Sequence, residues 1–253
     1  MTAWEIVLLA VGGILGGGIN SIAGGGSLVV FPALLATGMS PLQANVTNSV
    51  GQWPGYLGAV VGFRPELRGQ AHRVRQVAVA SVVGSAVGCA LLLSLPSAAF
   101  DAIVPALVLL AAAMLYFQPR LKKYAEARQA AKSGPEWELP LAVGLGAVYG
   151  GYFGGALGVI LLGVLALVSP DTLRRNNALK SSISLVVSTV TVVAFALFGP
   201  VDWVAVAITA PAALLGGVLG ARVARRIRDD VLRWVVIVLS VGVAIWLIVQ
   251  AAS

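Results

Sequence analysis

Residues 16–58 read GGGINSIAGGGSLVVFPALLATGMSPLQANVTNSVGQWPGYLG and contain no charged side chain. The triple glycine Gly24–Gly26 interrupts this apolar segment, and glycine is a poor helix former. The arm that follows, residues 27–37, would be about 17 Å long as a helix, whereas the hydrocarbon core of a bilayer is about 30 Å thick. The stretch therefore predicts two short helical arms that meet at a glycine-rich tip.

The composition of the whole chain predicts a membrane protein. Of its 253 residues, 58% are hydrophobic and 11% are charged, whereas soluble domains are about one-quarter charged. Long apolar stretches with few or no charges recur along the chain, and the clearest are Val74–Leu95, Ile103–Phe117, Ile183–Phe198, Val204–Leu219 and Val235–Val249. We therefore expect an all-α integral membrane protein.

The net charge of +7 lies mostly in loops. Basic residues cluster in segments 64–75, 119–132, 174–175 and 222–228, beside the apolar stretches. This placement follows the positive-inside rule, so we expect the lipid bilayer, and no nucleic acid, as the partner of this charge. Cys89 is the single cysteine, and the sequence shows no phosphate-binding loop, nucleophile–base pair or metal triad. We therefore expect no cofactor, no metal site and no enzymatic activity.

A shift of 132 positions aligns the two halves of the chain without a gap. It pairs Asn45 with Asn177 and Ser49 with Ser181, among other glycine, polar and aromatic matches. The pattern indicates a duplication, although helices rich in glycine and alanine also align easily. We predict a first repeat at residues 1–118, a basic cytoplasmic linker at 119–137 and a second repeat at 138–253.

Equivalent loops of the two halves differ in charge. The loop near Ser40 is uncharged, whereas its counterpart near residues 171–175 is basic; the loop 64–75 is basic, whereas the turn 199–201 has no basic residue. Opposite charge in equivalent loops predicts inverted-topology repeats, a frequent plan among transporters.

Inversion requires an odd number of membrane crossings in each repeat. Three spans follow the leading segment of the first repeat, at about residues 42–63, 74–95 and 101–118. The leading segment, about 4–38, therefore makes either no net crossing or two crossings. We predict a re-entrant helical hairpin there, and another at Leu139–Gly150 and Gly158–Ser169; two tilted, kinked full spans are the alternative.

The two hairpin tips are candidate substrate contacts, because irregular backbone at membrane depth is tolerated only inside protein or beside a cavity. We predict that Gly24, Gly25, Gly26 and Ser27 donate backbone N–H groups to a ligand. Helices that begin near Ser27 and Gly158 would add the positive end of a helix dipole. The alternative is close helix packing, which we favour for the small-residue pairs Gly84/Gly88 and Gly216/Gly220; a homodimer through those faces is a further candidate.

Polar residues form a stripe on the helix after each predicted hairpin. In the first repeat they are Asn45, Asn48, Ser49 and Gln52, spaced so that they share one helix face. The counterparts in the second repeat are Asn177, Lys180, Ser181 and Ser184, extended by Ser188. Polar groups in lipid are costly and usually face a cavity or a partner. We predict that substrate is bound by Asn45, Asn48, Ser49 and Gln52 of the first stripe and by Asn177, Lys180 and Ser181 of the second, with hydrogen bonding between helices as the alternative.

Lys180 is the most informative residue of the stripes. It lies about 13 Å along its helix from Asp171, and no carboxylate lies at a comparable depth in any clear span. An anionic substrate would supply the missing charge. The alternative is that the side chain extends back to the cytoplasmic surface.

The segment 16–58 resembles the first block of the TauE/SafE sulfite exporter family. The resemblance rests on the glycine-rich break, SLVVFPALL, a G-x-x-P turn and ANVTNS. GGYFGGALGVILLGVLAL at 150–167, RRNNALKSS at 174–182 and GPVDW at 199–203 resemble the second block, although Leu179 stands where threonine is frequent. The resemblance implies a secondary transporter of the bacterial plasma membrane that exports sulfite, sulfoacetate or related organosulfur anions.

We therefore predict an exporter of a small anion that works by alternating access, with its site near the midplane between the repeats. A channel-like pore between the hairpins and an importer of sulfur compounds are alternatives within transport. A membrane scaffold or assembly factor that transports nothing is the alternative of another class.

Overall fold

The structure is a computed structural model that describes residues 1–22, 24–128, 137–169, 171–223 and 229–252. Its regular elements in these ranges are all helical: α1 (Ala3–Ile22), α2 (Ser27–Leu35), α3 (Pro41–Gly62), α4 (Arg64–Leu67), α5 (Ala71–Ser94), α6 (Ser97–Arg128), α7 (Glu138–Tyr152), α8 (Leu157–Val168), α9 (Leu173–Phe198), α10 (Trp203–Val223) and α11 (Asp229–Ala252). The all-α prediction is therefore confirmed.

In these ranges, five helical segments are long and apolar enough to cross a membrane: Ala3–Ile22, Ala71–Ser94, Ser97–Arg120, Arg174–Phe198 and Trp203–Arg222. Helix α11 contributes a shorter apolar stretch, Val236–Val249. Helix α3 has 22 residues, but amides such as Asn45 and Asn48 lower its hydropathy. The arrangement is that of an integral membrane protein.

Two helix starts at equivalent positions use the same local chemistry. Ser40 and Thr172 have extended backbones, and their hydroxyl oxygens accept hydrogen bonds from the N–H groups of Gln43 and Arg175. Such N-caps satisfy N–H groups that have no partner within the helix. These caps fix the first residues of α3 and α9, the two helices that carry the polar stripes.

Both predicted breaks are present. Gly24 lies between α1 and α2 with φ +88°, and Ala156, at the equivalent position, precedes α8 with φ +57°. Left-handed backbone cannot continue a right-handed helix, so each arm begins anew after the break. The second arms are short, with nine residues in α2 and 12 in α8, whereas α1 has 20 residues and is long enough to cross a bilayer alone.

The short arms lie inside the protein. Leu28 and Leu34 of α2 are fully buried, and Phe31 packs edge-to-face on Phe153 at a ring distance of 5.7 Å. Val159 of α8 belongs to the same apolar cluster. The broken segments therefore have protein around them, which is the condition under which irregular backbone is tolerated at membrane depth.

Helix contacts at the offset of 132 residues occur in matched pairs. Helix α1 packs on α10, and the equivalent helices α7 and α5 pack on each other in the same way. The contact between α10 and α3 matches the contact between α5 and α9. The contact between α2 and α11 matches the contact between α8 and α6. Helices α3 and α9 contact each other, as do α6 and α11. Elements of one half are thus held mainly by elements of the other.

The small-residue pairs lie in these contacts. A Cβ at Gly88 would come within 2.8 Å of the Tyr152 backbone nitrogen, and a Cβ at Gly220 within 2.6 Å of the Gly18 Cα. Gly84 likewise packs on α7 and Gly216 on α1. The packing interpretation is confirmed, and these faces are occupied within the chain, so a homodimer would need another surface.

Helix α6 continues to Arg128, beyond the predicted end of the first repeat at residue 118. The predicted linker 119–137 thus begins as helix. Its residues 129–136 lie outside the described part of the chain, as do Ala23 of the first tip and residues 224–228 of the last basic cluster.

Candidate functional site

The tips of the two broken segments touch each other. A Cβ at Gly158 would lie 2.5 Å from the Cα of Gly24, and a Cβ at Gly24 would lie 2.7 Å from the backbone nitrogen of Val159. Only residues without a side chain allow backbones to approach so closely. The first break and the start of α8 therefore meet in the interior of the protein.

Polar side chains satisfy the carbonyl groups at the end of α1. The Lys180 Nζ donates to the Asn20 carbonyl at 2.9 Å, and the Asn177 Nδ2 donates to the Ser21 carbonyl at 3.2 Å. The Ile19 carbonyl accepts from the Gly24 N–H at 2.9 Å. The last carbonyls of a helix lack partners within it and carry partial negative charge, so a buried cation and an amide are suitable partners.

The end of α7 is held in the same way from the other half. The Asn45 Nδ2 donates to the Tyr152 carbonyl at 3.1 Å. Asn45 and Asn177 are equivalent positions, and each binds the broken segment of the opposite half. The expectation of hydrogen bonding between helices is confirmed for these two residues, while substrate ligation by them stays a prediction.

Asn20 connects the first tip to the stripe of α3 and is not among the predicted site residues. Its Oδ1 accepts from the Gly26 N–H at 2.8 Å, and its Nδ2 donates to the Gln52 Oε1 at 3.0 Å. The side chain is buried, with 3% of its surface exposed. Asn20, Gly26, Gln52 and Lys180 therefore form one hydrogen-bonded group, which we call the Asn20 network.

A small, partly open polar cavity lies beside this network. Its polar lining consists of Ser27, Ser49, Gln52, Tyr56, Ser188 and Thr191, and Gly150 and Gly154 face it from the second tip. The cavity therefore lies between the stripes of α3 and α9 and the ends of both broken segments. Tyr56 and Ser188 are equivalent positions, so the two halves contribute different side chains to the same place.

The lining is uncharged and rich in hydrogen-bond donors. The hydroxyls of Ser27 and Tyr56 both line the cavity. The Gln52 Nε2 and the Ser188 Oγ are buried without a protein partner. A buried polar atom without a partner costs free energy unless a ligand or water satisfies it, so these two atoms identify where an occupant would bind.

The predicted site residues divide into two groups. Ser27, Ser49 and Gln52 line the cavity. Gly24, Gly25, Gly26, Asn45, Asn48, Asn177, Lys180 and Ser181 do not. The N–H groups of Gly24 and Gly26 donate to the Ile19 carbonyl and the Asn20 Oδ1, and the Ser181 hydroxyl donates to the Asn177 carbonyl. A direct role of this second group in binding stays a prediction.

Lys180 is fully enclosed, with 1% of its surface exposed. The side chain does not extend to the surface, so the predicted alternative is wrong. Its Nζ instead lies on the negative end of α1, which explains how the chain holds a cation without a carboxylate at the same depth. Asn20, whose backbone carbonyl it binds, contacts Gln52 of the cavity through its side-chain amide.

Tyr56 and Thr191 also line the cavity but were absent from the predicted site. An aromatic residue and a β-branched hydroxyl in an apolar helix are usually packing residues, so their types gave no signal. Their helical spacing did give a signal. Tyr56 lies on the same helix face as Gln52, four residues later, and Thr191 lies three residues after Ser188 on the face of the second stripe.

A second polar cluster lies where the basic loops meet. Asp171 accepts from the Arg73 Nη1 at 2.7 Å and from the Arg175 Nε at 2.8 Å. Arg73 also donates to Ser169 and Asn176. The cluster joins the start of α5 to the loop between α8 and α9.

The pKa of Asp171 reflects these contacts. Partial burial alone would raise the pKa of this carboxyl, but hydrogen bonds from Arg175 and Thr172 and the positive charges of Arg175 and Arg73 hold it below its usual range. The ionised form is therefore favoured in the folded protein. No group of three His, Cys, Asp or Glu side chains in the described ranges is placed to hold a metal ion.

Comparison with known proteins gives a family match over most of the chain. Residues 9–247 match the family described as sulfite exporter TauE/SafE. A probable membrane transporter protein of Haemophilus influenzae is 32% identical over 243 residues, which cover 93% of this chain and 91% of the relative. No solved structure matches.

Two further relatives have similar names. The probable membrane transporter protein YfcA of Escherichia coli K12 is 30% identical over 215 residues, covering 85% of this chain and 77% of the relative. A probable membrane transporter protein, ORF9, of a Sinorhizobium species is 26% identical over 246 residues, covering 96% and 92%. The family match over residues 9–247 includes both tips and both stripes.

Proposed function

The chain belongs to the sulfite exporter TauE/SafE family, and from this premise we propose that it is a secondary transporter that exports a small anion. Sulfite or an organosulfonate such as sulfoacetate is the proposed substrate, and alternating access is the proposed mechanism. The observation that carries the proposal is the uncharged, donor-rich cavity between the two polar stripes.

The cavity chemistry supports an oxyanion in particular. An oxyanion presents only acceptor oxygens, and the Gln52 Nε2 and the hydroxyls of Ser27 and Ser188 can supply donors to it. Among the residues that the structure describes, no carboxylate lines the cavity to repel it. Lys180 lies behind Gln52 through Asn20, so its positive charge favours an anion without direct contact.

Two inverted repeats are the proposed architecture. The element bounds, the positive-φ positions Gly24 and Ala156 and the matched helix contacts all follow the offset of 132 residues. The charges of equivalent loops support the inversion. In this arrangement the α1–α2 and α7–α8 pairs would be re-entrant hairpins that enter from opposite faces.

The mechanism follows from this arrangement. Each broken segment is held by the stripe helix of the other half, through the hydrogen bonds of Asn45 and Asn177. Rocking one repeat against the other would open the cavity to alternate sides while these contacts keep the tips at the site. Basic loops in the cytoplasm of a bacterial cell would orient the protein in the plasma membrane.

A thermal-shift screen of the purified protein tests the proposal. We expect sulfite or a sulfonate to raise the unfolding temperature, because a ligand that binds only the folded state stabilises it. Thiosulfate and carboxylates are the comparison anions, each with and without sodium and at several pH values. A protein that none of these anions stabilises would favour a scaffold function instead.

A further inference from the structure

We infer that Gln52 is the specificity-determining donor of the cavity and that Asn20 positions it. Its amide N–H groups would bind an oxygen that only accepts hydrogen bonds, and Asn20 would fix the direction in which that amide points. This inference deepens the proposed function and rests on it.

The direction of the Asn20 network is set by a backbone group. The Gly26 N–H can only donate, so the atom of Asn20 that faces it at 2.8 Å must be the acceptor Oδ1. The Nδ2 of Asn20 then faces Gln52 at 3.0 Å, so the Gln52 atom at that contact must be the acceptor Oε1. Oxygen and nitrogen of a side-chain amide are assigned from such networks, and here the assignment follows step by step from Gly26.

Because the Gln52 Oε1 accepts from Asn20, the Gln52 Nε2 is free to donate elsewhere. Gln52 lines the cavity, 1% of the residue surface is exposed, and its Nε2 has no protein partner. A buried amide that turned its oxygen to the cavity would place two donors against each other at Asn20. The network therefore leaves Gln52 with a free donor, and not a free acceptor, for an occupant of the cavity.

Lys180 strengthens this preference. Its Nζ donates to the backbone carbonyl of Asn20 at 2.9 Å, so it adds positive charge beside the side-chain amide that orients Gln52. The hydrogen bonds from Gly26 through the Asn20 amide to Gln52 form a separate chain, and bonds in such a chain polarise one another in a low-dielectric interior. The occupant that fits the end of this chain is an oxyanion oxygen, whereas an ammonium or amide N–H group would meet a donor.

The second half has no such network. The positions equivalent to Asn20 and Gln52 are Tyr152 and Ser184, and neither can reproduce an amide-to-amide bond. The amide-to-amide bond therefore links the occupant to the first tip through Gly26, whereas the second tip meets the cavity through Gly150 and Gly154. An oxyanion in the cavity would stabilise the first tip in its present position.

The test is the affinity of the purified full-length protein for methanesulfonate, measured by isothermal titration calorimetry at about pH 8 and about pH 5. Methanesulfonate keeps its negative charge across this range, so changes in affinity report on the protein. The variants are Gln52→Glu, which replaces the amide donor by a carboxylate of the same shape, and Gln52→Met, which has no donor at any pH. Gln43→Glu, the same exchange in the first turn of α3 and away from the cavity, is the matched control.

We expect Gln52→Glu to bind about ten- to a hundredfold more weakly than wild type at the higher pH, since a hydrogen bond to a charged group is lost. Its affinity should recover at the lower pH, where a protonated carboxyl donates again. Gln52→Met should be weak at both pH values, and Gln43→Glu should bind like wild type. A merely structural role of Gln52 would give no such recovery.

Asn20→Asp tests the positioning role with Gln52 intact. The introduced carboxylate still accepts from the Gly26 N–H but cannot donate to Gln52, so the Gln52 amide turns and presents its oxygen to the cavity. We expect a loss of affinity similar to that of Gln52→Glu, although Asn20 does not line the cavity. Asn20→Asp also tests the inference if Gln52→Glu does not fold.

The outcomes separate the two hypotheses. If wild type binds methanesulfonate and both Gln52→Glu and Asn20→Asp bind it equally well, the inference about Gln52 is overturned and the proposed function stands. If wild type binds neither methanesulfonate nor sulfite, the proposed function fails, and this inference fails with it.

Discussion

The ammonium group of Lys180 lies 2.9 Å from the backbone carbonyl of Asn20, in the last turn of α1. The two residues are separated by 160 positions in the chain and belong to different halves. This contact places the buried positive charge on the negative end of a broken helix. Lys180 can therefore hold the first tip in place and bias the adjacent cavity toward anions.

Lys180→Gln separates these two roles. A glutamine amide can still donate to the Asn20 carbonyl but carries no charge, so we expect thermal stability near that of wild type and a loss of anion flux of about tenfold or more. Lys180→Ala should lose the flux as well and also lose roughly 1–3 kcal/mol of stability, because the carbonyl is left without a partner. Flux in proteoliposomes and thermal unfolding in detergent are the measurements.

Arg64→Ala, at an exposed position of α4, is the control for removing a positive charge and should transport like wild type. Wild-type flux in Lys180→Gln and Lys180→Ala would refute the electrostatic role.

The contact between the tips predicts an unusually large effect at Gly24. Gly24 and Gly38 have nearly the same φ, +88° and +87°, but a Cβ at Gly38 meets nothing within 4 Å, whereas one at Gly24 meets Gly158 and Val159. Alanine in left-handed backbone costs roughly 1–2 kcal/mol at either position. The free energy of unfolding should fall by about 1–3 kcal/mol more in Gly24→Ala than in Gly38→Ala, because the added Cβ overlaps with Gly158 and Val159.

Thermal unfolding of the two glycine variants measures the difference directly. Transport should survive in Gly38→Ala and be lost in Gly24→Ala, since the tip must move away from α8. Equal stabilities would mean that the tips do not meet as described.

The lowered pKa of Asp171 predicts an acid-sensitive cluster at the basic loops. A carboxyl whose pKa is lower in the folded than in the unfolded state stabilises the fold fully above its ordinary pKa, near 4. That contribution is lost as the pH falls through the lower, folded-state value. Wild type should therefore lose more thermal stability between about pH 6 and about pH 3 than Asp171→Asn does.

Glu138→Gln, which removes a carboxylate at the start of α7, is the control and should follow the wild-type curve. An Asp171→Asn curve parallel to that of wild type would show that the ion pairs with Arg73 and Arg175 contribute nothing measurable.

Much of the fold could be predicted because its signals are local. The break at Gly24–Gly26, the caps at Ser40 and Thr172 and the apolar spans each depend on neighbouring residues. The polar stripes were also visible, since Asn45, Asn48, Ser49 and Gln52 repeat at helical spacing. The offset of 132 residues also predicted that equivalent helices begin at equivalent positions, as α3 and α9 do.

The site itself was predicted only in part because it depends on distant contacts. Asn20 is a single amide at the end of an apolar helix, and its partners Gly26, Gln52 and Lys180 lie 6, 32 and 160 positions away. No periodicity connects them. The position of Lys180 along its span left both burial and extension to the surface open, and the structure shows the side chain buried. Its partner is a helix end, and helix ends carry partial charge that residue types do not reveal.

The most direct test of the account is counterflow in proteoliposomes that contain the purified protein. Vesicles loaded with unlabelled sulfite or sulfoacetate are diluted into a trace of the same labelled anion. A carrier with one site that alternates between the two sides should accumulate label transiently above its equilibrium level, and the effect should saturate with the internal anion. No accumulation beyond that of protein-free vesicles, with either anion and with folded protein, would contradict the account.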